Sequence, residues 1–247
     1  MRVAVLSDVH GNPFALDAVL ADAGDVDAYW VLGDLAALGP DPVGAVERLA
    51  ALPNASFTGG NADRYVTTTD LPGPPVAEAI GNAEIVPRLI ESAGSFGWTR
   101  GCLTAKGWFD WLAGLPLDVR TTLPDGTRVL GVHASPGRDD GPGLTPAHTD
   151  DELRERFGGA DADVVLVGHT HLPVDRRVDG MRLVNLGAVG LPIPGEDPRA
   201  SYVILDADTA GCELEHRRVD YDRGAVLAAL ERVRYPAIDF LAPSFRA

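Results

Sequence analysis

Arg2-Val3-Ala4-Val5-Leu6-Ser7-Asp8-Val9-His10-Gly11-Asn12-Pro13 opens on a short apolar run and closes on a polar cluster. The run Arg2–Leu6 has the length and branching of a buried strand. Asn12 before Pro13 is a helix start, a capping side chain followed by a residue whose fixed φ suits the first turn. Phe14, Leu16, Val19 and Leu20 then recur at helical spacing. The same unit repeats downstream. Ala28–Leu32 is a second strand ending at Gly33-Asp34, Pro42–Leu52 a second helix, and Ala55–Thr58 a third strand ending at Gly59-Gly60-Asn61. This strand–helix alternation predicts parallel strands covered by helices.

The second half reads differently. Residues 70–101 are rich in Pro and Gly with one helical patch, Ala83–Ser92, and Leu103–Leu112 is a further helix. Asp118–Leu123 and Arg128–Val132 flank Pro124-Asp125-Gly126, a hairpin signal. A polar loop, Arg138–Thr149, leads to a helix at Asp150–Phe157 and a buried strand at Val164–Val167. Val174–Leu186 is a second hairpin around Asp179-Gly180, Ser201–Asp206 and Glu213–Val219 are strands, and Ala225–Arg234 is the last helix. Hairpins after βαβ units predict two mixed sheets with helices outside. No repeat and no linker composition divides the chain, so residues 1–247 are expected to form a single domain, with a helical insertion at about 70–115.

Composition sets the outer bounds. The 247 residues are 45% hydrophobic and 23% charged, enough for a sizeable core. The 28 Gly and 19 Pro fall below the ~25–30% that marks low complexity. No apolar run approaches the ~18 residues of a membrane span, and the first residues lack the apolar core of a secretory leader. Cys102 and Cys212 form no CxxC pair and are expected to be inert buried thiols, which suits a cytoplasmic protein. The net charge is −15, with Lys106 the only lysine. Such a field opposes broad electrostatic binding of nucleic acid or anionic membranes. A phosphate-containing substrate would then need a local cation. Oligomeric state is left open.

The strand ends carry residues of one chemical type. The first delivers Asp8 and His10, two apart and therefore on one side of an extended chain. The second delivers Asp34, the third Asn61, the hairpin strand His133 after Leu130-Gly131-Val132, and the buried strand Gly168-His169-Thr170-His171. Ligand sites in α/β folds lie beyond the carboxyl ends of strands. Two Asp, one Asn and four His form a divalent-metal donor set that suits Mn, Fe or Zn better than Mg or Ca. Seven donors exceed the needs of one ion and fit two that share a bridge. Paired cations ~3.5–4 Å apart bind phosphate oxygens and acidify water.

The ordered series DVH, GD, GN, GVH and GHTH from Asp8 to His171 resembles the calcineurin-like metallophosphoesterase family, whose pattern is D-x-H, G-D, G-N-H-D/E, G-H and G-H-x-H. Asn185–Gly190 is similar to the N-P-G-S-x-G loop of the small prokaryotic members, and Gly97-Trp98-Thr99-Arg100 to a stretch of the same subgroup. The resemblance implies an α/β/β/α sandwich of two mixed sheets flanked by helices. It implies one metal held by Asp8, His10, Asp34 and His171, and another by Asp34, Asn61, His133 and His169, with Asp34 bridging. It implies hydrolysis of a phosphate ester, a phosphodiester above all, by a metal-bridging hydroxide, with Asp34 and Asn61 in the catalytic centre. A phosphomonoesterase, a protein phosphatase and a metal-binding scaffold without catalysis are the alternatives.

One position departs from the pattern. Ala62 stands where the family's commonest motif has the His that acts as general acid or orients the phosphate. That counts against a protein phosphatase. It also leaves Asp63, whose usual role is to orient that His, either as a catalytic residue or as a helix first-turn acid favoured by the dipole. Arg64 and Arg100 are candidate substrate contacts, with surface ion pairs as the alternative. Asn12 reads as a helix cap, His148 as a solvated loop residue, and His216 as a surface residue. Trp98, Trp108 and Trp111 read as core residues. The shape of a substrate pocket would be set by residues 70–101 and the loop Arg138–Thr149.

Overall fold

A computed structural model describes residues 1–73, 78, 82 and 84–246. In chain order its strands are β1 (Arg2–Leu6), β2 (Ala28–Leu32), β3 (Ala55–Thr58), β4 (Asp118–Thr122), β5 (Arg128–Val132), β6 (Val164–Val167), β7 (Val174–Val178), β8 (Met181–Asn185), β9 (Ala200–Asp208) and β10 (Gly211–Val219). Among the described residues the helices are α1 (Pro13–Ala23), α2 (Pro42–Ala50), α3 (Asn61–Thr67), α4 (Val86–Ala105), α5 (Phe109–Ala113), α6 (Asp150–Phe157), α7 (Arg223–Arg232) and α8 (Ile238–Phe245).

The strands form two five-stranded sheets, in the orders β10-β9-β1-β2-β3 and β4-β5-β6-β8-β7. In the first, β1, β2 and β3 run parallel, and β9 lies antiparallel to both of its neighbours, β1 and β10. In the second, β5, β6 and β8 are parallel, edged by antiparallel β4 and β7. Both sheets are thus mixed, as the change from βαβ units to hairpins predicts.

Alternation along each strand builds the layers. Val3 and Val5 join Trp30, Leu32, Val203 and Leu205 against Val129, Leu166 and Val184 of the other sheet. The alternate residues Ala4, Leu6, Tyr29, Val31 and Tyr202 face the helices, packing with Leu16 and Val19 of α1 and Val46 and Leu49 of α2. On the far side, Leu130, Val132, Val165 and Val167 pack with Leu153 and Phe157 of α6. Helix, sheet, sheet, helix is the resulting order. Strands buried on both faces read as continuous apolar runs, which is why Val164–Val167 has no polar residue.

Local signals behave as expected at several points. The Asn12 side chain accepts from Ala15 N at 3.1 Å and caps α1. Asp179 and Gly180, with φ of 49° and 87°, make the tight β7–β8 turn. The region between β3 and β4 differs. In place of separate helices at Ala83–Ser92 and Leu103–Leu112, α4 runs unbroken through Gly94, Gly97 and Gly101 (Ala83 lies outside the described residues). Glycine weakens a helix by only ~1 kcal/mol each, and the burial of Phe96 and Leu103 in the core outweighs it. The chain breaks instead at Gly107, with φ of 78°, where Trp108 N donates back to Leu103 O. Near the C-terminus α8 is an element the sequence pattern does not show. Pro243 sits inside it, and its helical state rests on Leu241 and Phe245 packing with Val226 and Leu230 of α7.

Candidate metal centre

Asp8, His10, Asp34, His169 and His171 all lie just past strand ends with φ between 49° and 70°. They are half of the ten non-glycine residues in the left-handed region among those described. Each such residue costs ~1–3 kcal/mol and persists only where its surroundings over-determine it. Here the backbone does so. Asp8 N donates to Gly33 O at 3.1 Å, His10 N to Asp34 O at 2.9 Å, and Gly190 N to Asp8 O at 2.8 Å. The chain therefore curls immediately after β1 and β2, and this curl, not the extended strand expected from the spacing, brings Asp8 and His10 into one bowl. Two glycines make room for the carboxylates. A Cβ at Gly168 would collide with Asp8 Oδ2, and one at Gly60 with Asp34 Oδ1.

The structure brings all seven expected donors together. Asp8 Oδ1 lies 3.1 Å from His171 Nε2 and 3.7 Å from His10 Nε2. Asp34 is placed between two groups, with Oδ2 3.6 Å from His10 Nε2 and Oδ1 3.4 Å from His133 Nε2. The Asn61 amide lies 3.0 Å from His133 Nε2 and 2.8 Å from His169 Nδ1. Asp8, His10 and His171 could together hold a cation, and so could Asp8, Asp34 and His133.

The donor chemistry fits a metal. His10 Nδ1 donates to Ala37 O at 2.9 Å, His133 Nδ1 to Leu32 O at 2.8 Å, and His169 Nε2 to Gly141 O at 2.8 Å. Each ring then turns a lone pair inward, the arrangement second-shell partners impose on metal-ligating imidazoles. Asp8 Oδ1 is buried with no hydrogen-bond donor. Asn61 with its oxygen inward adds a further lone pair, whereas the amide turned over would donate to both His133 and His169. Lone pairs facing one another across ~3 Å call for a cation between them.

Charge agrees with geometry. Burial would raise the Asp34 carboxyl, but His133, His10 and His169 hold it well below its usual range. Burial would lower His133, but Asp34 and Asp8 push it up to about 10. His171 is likewise raised, against burial, by Asp8. The bowl draws positive charge, supplied by protons where no metal is bound.

The comparisons with known proteins decide the family. The sequence model of the calcineurin-like phosphoesterase superfamily domain matches residues 1–210. The chain belongs to that superfamily. The crystal structure of a metallophosphoesterase from Sphaerobacter thermophilus is 30% identical, aligning over 99% of this chain and 100% of its own with a TM-score of 0.75. A hypothetical protein from Pyrococcus horikoshii shares the fold, with 21% identity, 97% coverage of both chains and a TM-score of 0.78. An uncharacterized protein from Methanocaldococcus jannaschii is 27% identical over 252 residues, 95% of this chain and 93% of its own. The superfamily is metal-dependent, in keeping with the donor set above.

Around this phosphoesterase-family centre, other expected residues take different places. Ala62 is buried, and its N–H donates to Asp34 Oδ1 at 2.8 Å. The backbone at this position thus orients the carboxylate, whatever the side chain. Asp63 is buried with both oxygens committed, Oδ1 accepting from Leu35 N and Oδ2 from Gly60 N, each at 3.0 Å. Burial, then the Asp34 charge, pushes its carboxyl up to about 7. It pins β2's exit to the Gly60 turn. Arg64 reaches three carboxylates, Asp139 at 2.6 Å, Asp70 at 2.8 Å and Asp140 at 3.3 Å. Arg100 Nε donates to Val66 O, tying α4 to α3.

Two histidines correct the sequence reading. His216 is not a free surface group: it is half-buried, and its Nε2 donates to Asn185 O at 2.8 Å, linking β10 to β8 across the sheets. His148 is half-buried rather than solvated; its Nδ1 accepts from Thr145 N at 3.1 Å, and Arg156 lies beside it. Cys102 and Cys212 are free but only half-buried. The residue that sequence reasoning undervalued is Asn185. It is fully buried; its amide nitrogen shares two N–H groups among Leu144 O at 3.0 Å, Gly168 O at 2.8 Å and Thr170 Oγ1 at 2.8 Å, and its oxygen accepts from Gly187 N at 2.9 Å. It fixes the turn that carries His169 and His171. Its place at the head of the Asn185–Gly190 loop was the available signal.

Proposed function

We propose that this protein is a dinuclear metal-dependent phosphoesterase whose preferred substrates are phosphodiesters. The observation that carries the reading is Asp34, which turns one oxygen toward His10 and the other toward His133. A carboxylate so placed would bridge two cations. Asp8, His10 and His171 would hold one ion with Asp34, and Asn61, His133 and His169 the other. Two divalent cations, Mn, Fe or Zn by donor type, would supply Lewis acidity toward phosphate oxygens and acidify water at neutral pH. The chain's own residues orient and exclude. Ala37, Leu32 and Gly141 carbonyls fix the imidazole tautomers, and the Ala62 N–H fixes Asp34. With Ala62 in place of a proton donor, esters with good leaving groups would react best.

The test is metal content per purified chain together with turnover of bis(4-nitrophenyl) phosphate and 4-nitrophenyl phosphate by Mn-loaded protein. Two ions per chain and faster diester cleavage are expected. Two ions with no cleavage of either ester would favour a metal-binding scaffold instead.

A further inference from the structure

We infer that the apolar cleft between α3, α4 and α8 is the seat for a bulky, uncharged, ring-bearing organic group of the phosphate ester. The inference rests on the hydrolytic reading above and adds a substrate class to it.

The cleft encloses about 550 Å³, within the ~300–1,000 Å³ typical of small-molecule sites. It begins at the candidate metal centre, because Asn61 and Ala62 line it. Asn61 faces His133 and His169 with its amide, so a phosphoryl group held there would have its ester substituent at the cleft's inner end. Ala62 presents only a methyl group, which leaves the passage clear. Beyond it the walls are Tyr65 and Phe96, edge to face with ring centroids 5.3 Å apart. Leu89 and Phe240 form the outer part.

The occupant's chemistry follows from the lining. Tyr65 spends its hydroxyl on Asp140, and the Ser95 hydroxyl is paired with Tyr235. The two hydroxyls beside the aromatic walls are therefore already satisfied, and a sugar's hydroxyls would have only Asn82, Arg88 and Ser92 of the outer lining to meet. Exposed Glu84, Arg88 and Glu91 also border the cleft; the one base does not outweigh the two acids, and with a net charge of −15 a second anionic group is disfavoured. An aromatic or alicyclic group would instead bury its faces against Tyr65, Phe96 and Leu89. Phe240 argues in the same direction. It is 53% exposed, unusual for a large apolar side chain, and a ring in the cleft would cover part of it.

The experiment compares phenyl phosphate with biphenyl-4-yl phosphate as ligands by calorimetry, and their methyl diesters as substrates, on the metal-loaded full-length protein. A para-phenyl group scarcely changes the acidity of phenol, so the comparison reads fit rather than leaving ability. The biphenyl compounds should bind, and react by kcat/KM, about tenfold better, the gain expected from burying one more ring. Leu89→Glu and Phe240→Glu, both at partly exposed positions that tolerate charge in the fold, should each erase that preference. Ile90→Glu, one residue along α4 and outside the cleft, should keep it. Equal binding of the two ligands by the wild type, or an undiminished preference in both Leu89→Glu and Phe240→Glu, would overturn the assignment. Tighter biphenyl binding that both substitutions abolish, with no ester turned over, would support the cleft while breaking the hydrolytic reading.

Discussion

The two halves of the candidate metal centre are built by different means. Asp8, His10 and His171 sit on left-handed backbone that curls directly out of β1 and β6, and the loops around them are clasped by main-chain hydrogen bonds. Asn61 and His133 sit on ordinary backbone past β3 and β5, His133 fully buried, while His169 shares the left-handed turn of His171. His169 in particular depends on Gly141 O, and the loop around Gly141 is held to α3 by Arg64 through Asp139 and Asp140. The first half is written into the backbone; the second adds, through His169, a side-chain network that spans more than 70 residues of sequence. Backbone-fixed ligands lose little entropy on binding, whereas a network of partly exposed ion pairs yields more readily. The first half should therefore bind its cation more tightly than the second.

Asp34 is the point where the comparison collapses, because it belongs to both halves. Asp34→Asn should lower occupancy of both ions and reduce turnover by at least ~10³-fold, the scale of losing charge stabilisation at a reacting centre. Metal per chain by elemental analysis, with ester turnover, checks it. Two retained ions with activity near wild type would remove Asp34 from the bridge.

Removing the metal tests what both halves share. Without cations, Asp8 and Asp34 are left close together in a buried bowl, balanced only by imidazolium charge. Ligand binding to the folded state alone stabilises by RT ln(1 + [L]/Kd), ~2.7 kcal/mol at 100-fold excess. Chelation should lower the thermal midpoint measurably, and adding back metal should restore it. An unchanged midpoint after verified removal would place the ions outside the fold's centre.

The contrast also explains what was legible in the sequence. The seven donors could be found because each stands just past a strand end, where a polar residue follows an apolar run; that Asp8 and His10 share a side comes from the left-handed curl and not from strand periodicity. The sheets followed from the switch between βαβ units and hairpins. What could not be read was conformation that tertiary packing imposes. The left-handed turns at Asp8 and His10 have no compositional mark, since neither residue is glycine. The continuity of α4 through Gly94, Gly97 and Gly101 rests on Phe96 and Leu103 finding the core. His216 looked like a surface residue because its partner, the Asn185 carbonyl, belongs to another sheet. Arg64 and Arg100 share a residue type but not a task, and nothing local separates an arginine that meets carboxylates from one that meets a helix carbonyl.

Arg64 gives the finest test of the difference between the halves. Its guanidinium is the link between α3, which begins with Asn61, and the loop whose Gly141 carbonyl orients His169. Removing such an outer partner typically costs ~10–100-fold in metal affinity. Arg64→Gln should therefore weaken one of two binding steps in a metal titration by about that factor and leave the other close to its wild-type value, since Asp8, His10 and His171 have no contact with Arg64. Calorimetry resolves the two steps. The carboxylates of Asp139, Asp140 and Asp70 would lose their shared cation and separate, and the loop would carry Gly141 away from His169. Equal weakening of both steps would show that the halves are a single unit and that the contrast in their construction has no energetic consequence. A different result, with both ions kept at full affinity and KM raised, would mean that Arg64 leaves its carboxylates to meet the substrate phosphate, the candidate role it has in the sequence.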